Sequence, residues 1–159
     1  MEGTNYTYAI GKLVLWSSDA GFIKDESALK SDKLQKLAVA NPKLAPYGEA
    51  AHQAMEALGL KAALTPKIVE GDNIGKTYQS SPRGTRRQLR RHEQCAKDGK
   101  FTSGSGWVVP QELYKPITQD AVLLKAGEKN EGAKRFLEYL KTNKEADRIR
   151  FVYGYDTAK

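Results

Sequence analysis

Short apolar runs alternate with stretches of helical periodicity along this chain. Apolar runs typical of buried strands lie at residues 12–16, 37–40, 67–70, 107–109 and 121–124. Each of the first three is closed by a polar or turn-forming segment, as strands usually are. These runs predict five strands.

Helical patterns fill much of the sequence between and after these runs. In residues 46–60 apolar side chains recur at spacings of three and four, with Pro46 suited to the first turn and Gly59 near the end. A turn at 71–73 predicts a helix running to residue 79, and Asn130 can cap another. Residues 145–153 predict a last helix, closed by Gly154. Strands alternating with helices favour an α/β architecture with mainly parallel pairing.

Residues 80–94 depart from this alternation of apolar runs and helical patterns, because Leu89 is their one apolar residue. The segment carries much of the chain's net charge of +7, since five arginines lie close together there, with Glu93 beside them: Arg83, Arg86, Arg87, Arg90 and Arg91. Arginines at this density would neutralise phosphates, so a nucleic-acid-binding surface whose affinity falls steeply with salt is one alternative. A solvated or disordered run is the plainer interpretation.

Composition excludes several classes of protein. With 159 residues, 28% charged and 40% hydrophobic, the chain suits one compact domain or a lobe and not a disordered tail. No apolar run reaches the length of a membrane span, and the chain as written carries no secretory signal. Cys95 is the only cysteine, so no internal disulfide forms, and its spacing from His92 is a weak metal motif. The sequence contains no recognisable nucleophile–base pair or phosphate loop that would predict an enzyme.

Two strand-to-helix junctions are the candidate binding elements. They lie at residues 37–48 and 68–75. Ligands of open α/β sheets settle at the carboxyl ends of strands, and a helix N-terminus suits an anion. Tyr47 adds a hydroxyl donor or its own amide, and Asp72 can cap the second helix and leave the amide of Ile74 free. Two ordinary capped helix starts are the alternative.

An ordered series of motifs resembles one protein family. Residues 8–17, Tyr-Ala-Ile-Gly-Lys-Leu-Val-Leu-Trp-Ser, are similar to the segment by which periplasmic molybdate-binding proteins of ABC transporters pass from their first lobe to their second. Residues 37–51 resemble the family's second-lobe motif, here with Ala-Pro-Tyr-Gly. Leu-Gly-Leu at 58–60, Gly-Asp-Asn-Ile at 71–74, Lys-Asp-Gly-Lys at 97–100, residues 117–127 and Tyr-Gly-Tyr at 153–155 follow in family order.

The resemblance implies an α/β fold of the type II periplasmic binding protein, with helices on both faces of the sheet. It implies capture of molybdate or tungstate in a cleft between two lobes and delivery to a membrane permease, by a periplasmic monomer that needs no cofactor or separate metal site and binds no nucleic acid. Tyr47 and the backbone amide of Ile74 match the family's second-lobe ligands. Neutral donors suffice, because hydrogen bonds to an anion are strong in a dry cleft.

The family pattern also divides the chain. Residues 1–13 correspond to the end of the first lobe and the hinge, 14–122 to the second lobe, and 123–159 to the return hinge strand and the C-terminal helices of the first lobe. The chain is therefore expected to be a fragment that lacks half of the anion shell, binds molybdate weakly or not at all, and exposes apolar Phe136, Leu137 and Leu140.

Residues 80–94 replace a family stretch that reads much like Phe-Val-Ala-Thr-Gly-Asn-Ala and then a Phe-Val-Ala strand. Codons read one base earlier, and then one base later, permit this family-like sequence. We hypothesise that 80–94 is a frame-shifted translation, in which the arginines are an accident of reading frame. A central strand is then expected to be missing.

Overall fold

The structure is a computed structural model that describes residues 5–71, 87–91, 96–97 and 100–157. Its strands are β1 Tyr6–Gly11, β2 Leu13–Ser17, β3 Leu37–Ala40, β4 Ile68–Gly71, β5 Arg87–Arg91, β6 Ala96–Lys97, β7 Lys100–Phe101, β8 Ser105–Val108 and β9 Ile117–Ala121. Its α-helices are α1 Pro46–Ala57, α2 Lys61–Leu64, α3 Glu131–Thr142 and α4 Lys144–Val152. None of these helices has the length and apolar character needed to cross a membrane. The predicted helix at 72–79 lies outside the described residues.

A five-stranded sheet in the order β4-β3-β5-β2-β8 forms the centre of the molecule. Strand β3 runs parallel to β4 and β5, whereas β2 runs antiparallel to β5 and β8. The α/β class is confirmed, but the prediction of mainly parallel pairing is wrong because the sheet is mixed. Strands β3, β4 and β5 run in one direction, with α1 in the connection from β3 to β4, whereas β2, which is antiparallel to both of its neighbours, runs in the opposite direction.

The core lies between this sheet and helix α1. All five residues of β2 are buried, as a central strand requires. One face of β2 and β3 contributes Leu13, Leu15, Leu37 and Val39, and these pack in one cluster with the small apolar face of α1. On the opposite face Val14 and Trp16 pack against Phe101. Helix α1 is therefore held through its alanines and Met55, which let it approach the sheet closely.

The arginine-rich segment supplies a central strand. Strand β5 lies between β3 and β2, and Leu89 is opposite Leu15 in the register. Leu89 is only 2% exposed. The expectation of a missing central strand is therefore wrong. The ladder is made by backbone groups, which an unusual composition does not remove, and a single apolar residue in register fills the core position. Residues 80–86 and 92–94 lie outside the described part of the chain.

Two further strands form a separate antiparallel pair, β1 with β9. Ile10 is also bridged to Asp156 near the C-terminus, through two backbone hydrogen bonds of 2.8 and 2.9 Å. The strand predicted at 121–124 is misplaced, because the observed strand ends at Ala121. Strand β9 carries three polar residues in a row and alternates in burial, and the continuous apolar run after it leaves Val122 and Leu124 exposed.

The C-terminal helix α3 begins after Asn130 as the sequence predicts, and α4 begins at Lys144, one residue before its predicted start. The side chain of Asn130 accepts a hydrogen bond from the amide of Ala133, and that of Asn143 accepts one from the amide of Glu145. Helix α3 is amphipathic, yet none of its residues is buried. Phe136 is 60% exposed, as expected, while Leu137 and Leu140 are half-buried. An apolar groove of about 300 Å³ runs between β1, α3 and α4.

Candidate functional site

The two predicted junctions start from neighbouring strands. Strands β3 and β4 pair in parallel, with Ala40 opposite Gly71, so that both carboxyl ends lie at one edge of the sheet. The amide of Asn41 donates to the carbonyl oxygen of Gly71 at 2.9 Å, which ties the two ends together. This is the edge at which an open α/β sheet binds its ligands. Ile74 and Asp72 lie outside the described residues, so only the first junction is seen with its side chains.

Helix α1 begins directly on the end of β3. Pro46 occupies the start of the helix, where its fixed φ angle is favourable and its missing N–H costs nothing. No side chain caps the helix, because the N-cap residue is Ala45. Gly48 packs so closely on β3 that a Cβ atom there would lie 2.2 Å from the carbonyl oxygen of Ala40. The glycine therefore allows the first turn to sit against the strand end.

Tyr47 in this first turn points towards the paired strands β1 and β9. The residue is 6% exposed and its hydroxyl oxygen is buried. A Cβ atom built on Gly11 would lie 2.1 Å from that hydroxyl oxygen and 3.5 Å from Cβ of Ile117. The phenol thus reaches from α1 to the meeting point of β1 and β9. The structure places this predicted site residue beside β1, which lies in the segment that the sequence assigns to the hinge.

A second tyrosine, Tyr114, lies shortly before β9 in the sequence and reaches the same region. The amide of Leu13 donates to the Tyr114 hydroxyl oxygen at 3.1 Å. Burial raises the pKa of the Tyr114 hydroxyl above its usual value, and the hydrogen bond from Leu13 opposes this shift. Sequence analysis did not identify Tyr114. The one sequence feature that points to Tyr114 is its position three residues before Ile117, and this feature is informative only when β9 is known to begin at Ile117.

Polar side chains surround the strand ends. Asn41 donates from its side chain to Glu70 at 3.3 Å, and accepts from the amide of Lys43 at 2.9 Å. Nε2 of His52 lies 3.9 Å from the other carboxylate oxygen of Glu70. Among the described residues, the Glu70 carboxylate therefore lies close to Asn41 and His52 at this edge. Among the described residues no group of three or more His, Cys, Asp or Glu side chains is arranged to hold a metal ion.

Comparison with known proteins gives consistent matches over nearly the whole chain. The family model for bacterial extracellular solute-binding proteins matches residues 1–156. The molybdate-binding protein ModA of Azotobacter vinelandii is 46% identical over 157 residues, which are 98% of this chain and 62% of that protein. The molybdate-binding protein ModA of Rhodobacter capsulatus is 44% identical over 159 residues, which are 99% of this chain and 61% of that protein.

A solved structure matches the fold as well. The periplasmic molybdate-binding protein of Azotobacter vinelandii superposes with a TM-score of 0.86 at 32% sequence identity, over 100% of this chain and 70% of that one. The chain therefore spans about three fifths of the length of the curated relatives it matches. These matches confirm the predicted type II periplasmic binding protein fold. The chain belongs to the family of bacterial extracellular solute-binding proteins.

Proposed function

We propose that this chain forms part of the substrate-binding component of an ABC importer that captures molybdate or tungstate. The observation that carries the proposal is the position of Tyr47, in the first turn of α1 at the edge where β3 and β4 both end. Two relatives at 46% and 44% identity, each named as a molybdate-binding protein, support the same ligand class.

The chemistry of the junction suits a tetrahedral dianion. The N-terminus of α1 presents backbone N–H groups and the positive end of the helix dipole. A tyrosine hydroxyl adds a neutral donor, and hydrogen bonds to an ion are about twice as strong as those between neutral groups. We assign the Tyr47 phenol and the backbone amide of Ile74 to the anion shell. The remaining donors would come from the part of the relatives that this chain does not span.

The division of the chain follows from the same proposal. Residues 1–13, which include β1, would form the end of the first lobe and the hinge, and the return hinge strand would lie within 123–159. Strand β9, which pairs with β1, falls at the end of the second-lobe segment. Residues 14–122 would form the second lobe, built on the five-stranded sheet. Residues 123–159 would carry helices of the first lobe, and the unburied apolar face of α3 is what such helices would bury against a sheet.

Location and partners belong to the proposal too. The protein would act as a monomer in the periplasm, need no cofactor, and hand its oxyanion to a membrane permease. The nucleic-acid alternative gains no support from the described residues. Strand β5 is paired with β2 along its length and with β3 at Gln88, so the backbone of three of the five arginines, Arg87, Arg90 and Arg91, lies within the sheet.

Thermal unfolding in the presence of oxyanions tests the ligand. We expect molybdate to raise the melting midpoint slightly, and more than sulfate at equal ionic strength, because a ligand that binds only the folded state stabilises it. Tyr47→Phe should remove the difference between the two anions. Tyr139→Phe in helix α3 is the matched control and should keep it.

Equal shifts with molybdate and sulfate would contradict the proposal. Tight molybdate binding would instead contradict the expectation that donors are missing. A salt-sensitive shift of DNA that disappears when the five arginines are replaced would favour the nucleic-acid alternative.

A further inference from the structure

Gly11 lacks a side chain at a point where none would fit. It is the last residue of β1 and pairs with Ile117 of β9. A Cβ atom on Gly11 would lie 2.1 Å from the hydroxyl oxygen and 2.9 Å from Cζ of Tyr47. Both distances are well below van der Waals contact, so any larger residue would force the phenol or the strand to move.

The backbone gives no other reason for a glycine at this position. The described glycines with positive φ angles are Gly59, Gly104 and Gly154, and Gly11 is not among them. Its conformation is that of an ordinary strand residue, which any L-amino acid adopts. A glycine also weakens a strand, because it loses more conformational freedom on folding and packs no side chain. The close approach of Tyr47 is therefore the structural reason for Gly11.

We infer that Gly11 is a positioning residue for the Tyr47 phenol. Its bare Cα forms the wall against which the hydroxyl rests, so strand β1 sets where the aromatic ring ends. This inference rests on the proposed function, in which Tyr47 belongs to the oxyanion site. It adds that the position of this donor is fixed by the paired strands β1 and β9 and not by helix α1 alone.

The contact also couples the site to the strand pair. The Tyr47 ring is anchored in α1, which packs on the five-stranded sheet, while its hydroxyl touches the separate β1–β9 pair. A change in the angle between these two units moves the wall relative to the ring. A residue larger than glycine at position 11 would displace the hydroxyl even when the strands keep their pairing.

A double-mutant cycle in unfolding measurements tests the contact without any ligand. Gly11→Ala should lower the melting midpoint, and Gly21→Ala should leave it nearly unchanged, because a Cβ there meets only one atom at 3.9 Å. Tyr47→Leu removes the phenol that a Cβ on Gly11 would strike. The double variant Gly11→Ala/Tyr47→Leu should therefore melt above the midpoint that the two single shifts predict when added.

Additive shifts in this cycle would overturn the inference. If Gly11→Ala alone fails to fold, the double variant still decides: a folded double variant supports the contact, and an unfolded one refutes it.

Tyrosine NMR provides a readout that loss of stability alone does not move. With tyrosine labelled at Cζ, the resonance missing in Tyr47→Phe belongs to Tyr47. That resonance should shift in Gly11→Ala and stay in place in Gly21→Ala; an unmoved resonance in a folded Gly11→Ala protein would refute the inference.

Molybdate then separates the inference from the proposed function. If the unmodified chain shows a molybdate-specific rise in midpoint, Gly11→Ala should reduce it and Gly21→Ala should preserve it. A chain that never responds to molybdate contradicts the proposed function, while the unfolding cycle and the NMR shift still decide the role of Gly11.

Discussion

Replacing Leu89 by alanine tests whether the arginine-rich segment is a structural strand. Leu89 is the only apolar residue of strand β5, is 2% exposed and lies opposite Leu15 in the core cluster. Truncating a buried leucine costs about 2–5 kcal/mol, because transfer free energy is lost and a cavity remains. For a protein of this size roughly 2–4 °C of melting midpoint accompany each kcal/mol, so the midpoint should fall by at least about 4 °C.

Thermal and urea unfolding of Leu89→Ala measure the effect, with Leu124→Ala as the matched control. Leu124 is 67% exposed, so the same truncation there should shift the midpoint by no more than about 2 °C. A Leu89→Ala midpoint equal to that of the control would refute the placement of β5 in the core. The reading-frame hypothesis for 80–94 is a separate question, which resequencing of the gene through the codon for Lys97 decides.

Three further predictions rest on other contacts. Gly59 and Gly104 share a φ angle of +70°, but only at Gly104 would a Cβ atom lie 1.9 Å from the carbonyl oxygen of Ser17. In urea unfolding Gly59→Ala should therefore lower the free energy of unfolding by about 1–2 kcal/mol, and Gly104→Ala should lower it clearly more. Tyr114 holds its proton in the folded state at pH values where the unfolded chain has lost it, so stability should fall as pH rises above about 10, and Tyr114→Phe should flatten that slope in unfolding measured against pH. Phe136→Gln should reduce the fluorescence of a bound hydrophobic dye more than Phe22→Gln reduces it, since Phe136 is 60% exposed on the apolar face of α3.

Local patterns in the sequence predicted the elements that carry their own apolar signal. Strands β2 and β3 are continuous apolar runs, and α1 has clear helical spacing with Pro46 at its start, so all three lie where they were expected. Strand β9 was misplaced because its side chains alternate in burial and the neighbouring run at 121–124 is more apolar. Composition led to the wrong expectation that the central strand at β5 is missing. A strand in register needs few apolar residues when its backbone is paired with neighbouring strands.

The candidate site was only half visible for a different reason. Tyr47 was found because it follows a strand and begins a helix, which is a local pattern. Gly11 and Tyr114 act through contacts between distant parts of the sequence: the Tyr114 hydroxyl and the Leu13 amide are 101 positions apart. No window along the chain contains both partners. Such residues emerge only when the fold brings β1, α1 and β9 together.

Three consecutive residues at the end of β1 and the start of β2 are each held by a different part of the molecule. The Tyr47 hydroxyl, from α1, lies against Gly11, and the amide of Leu13 donates a hydrogen bond to the Tyr114 hydroxyl. Between them the half-buried Lys12 pairs at 2.8 Å with the exposed Asp156, a residue near the C-terminus that is also bridged to Ile10 of β1. The Tyr47 phenol that we assign to the oxyanion is therefore one of three contacts at the connection between the β1–β9 pair and the five-stranded sheet. An anion that accepts a hydrogen bond from the Tyr47 hydroxyl would bind at this connection. We therefore expect the affinity of the site and the geometry of the hinge to change together.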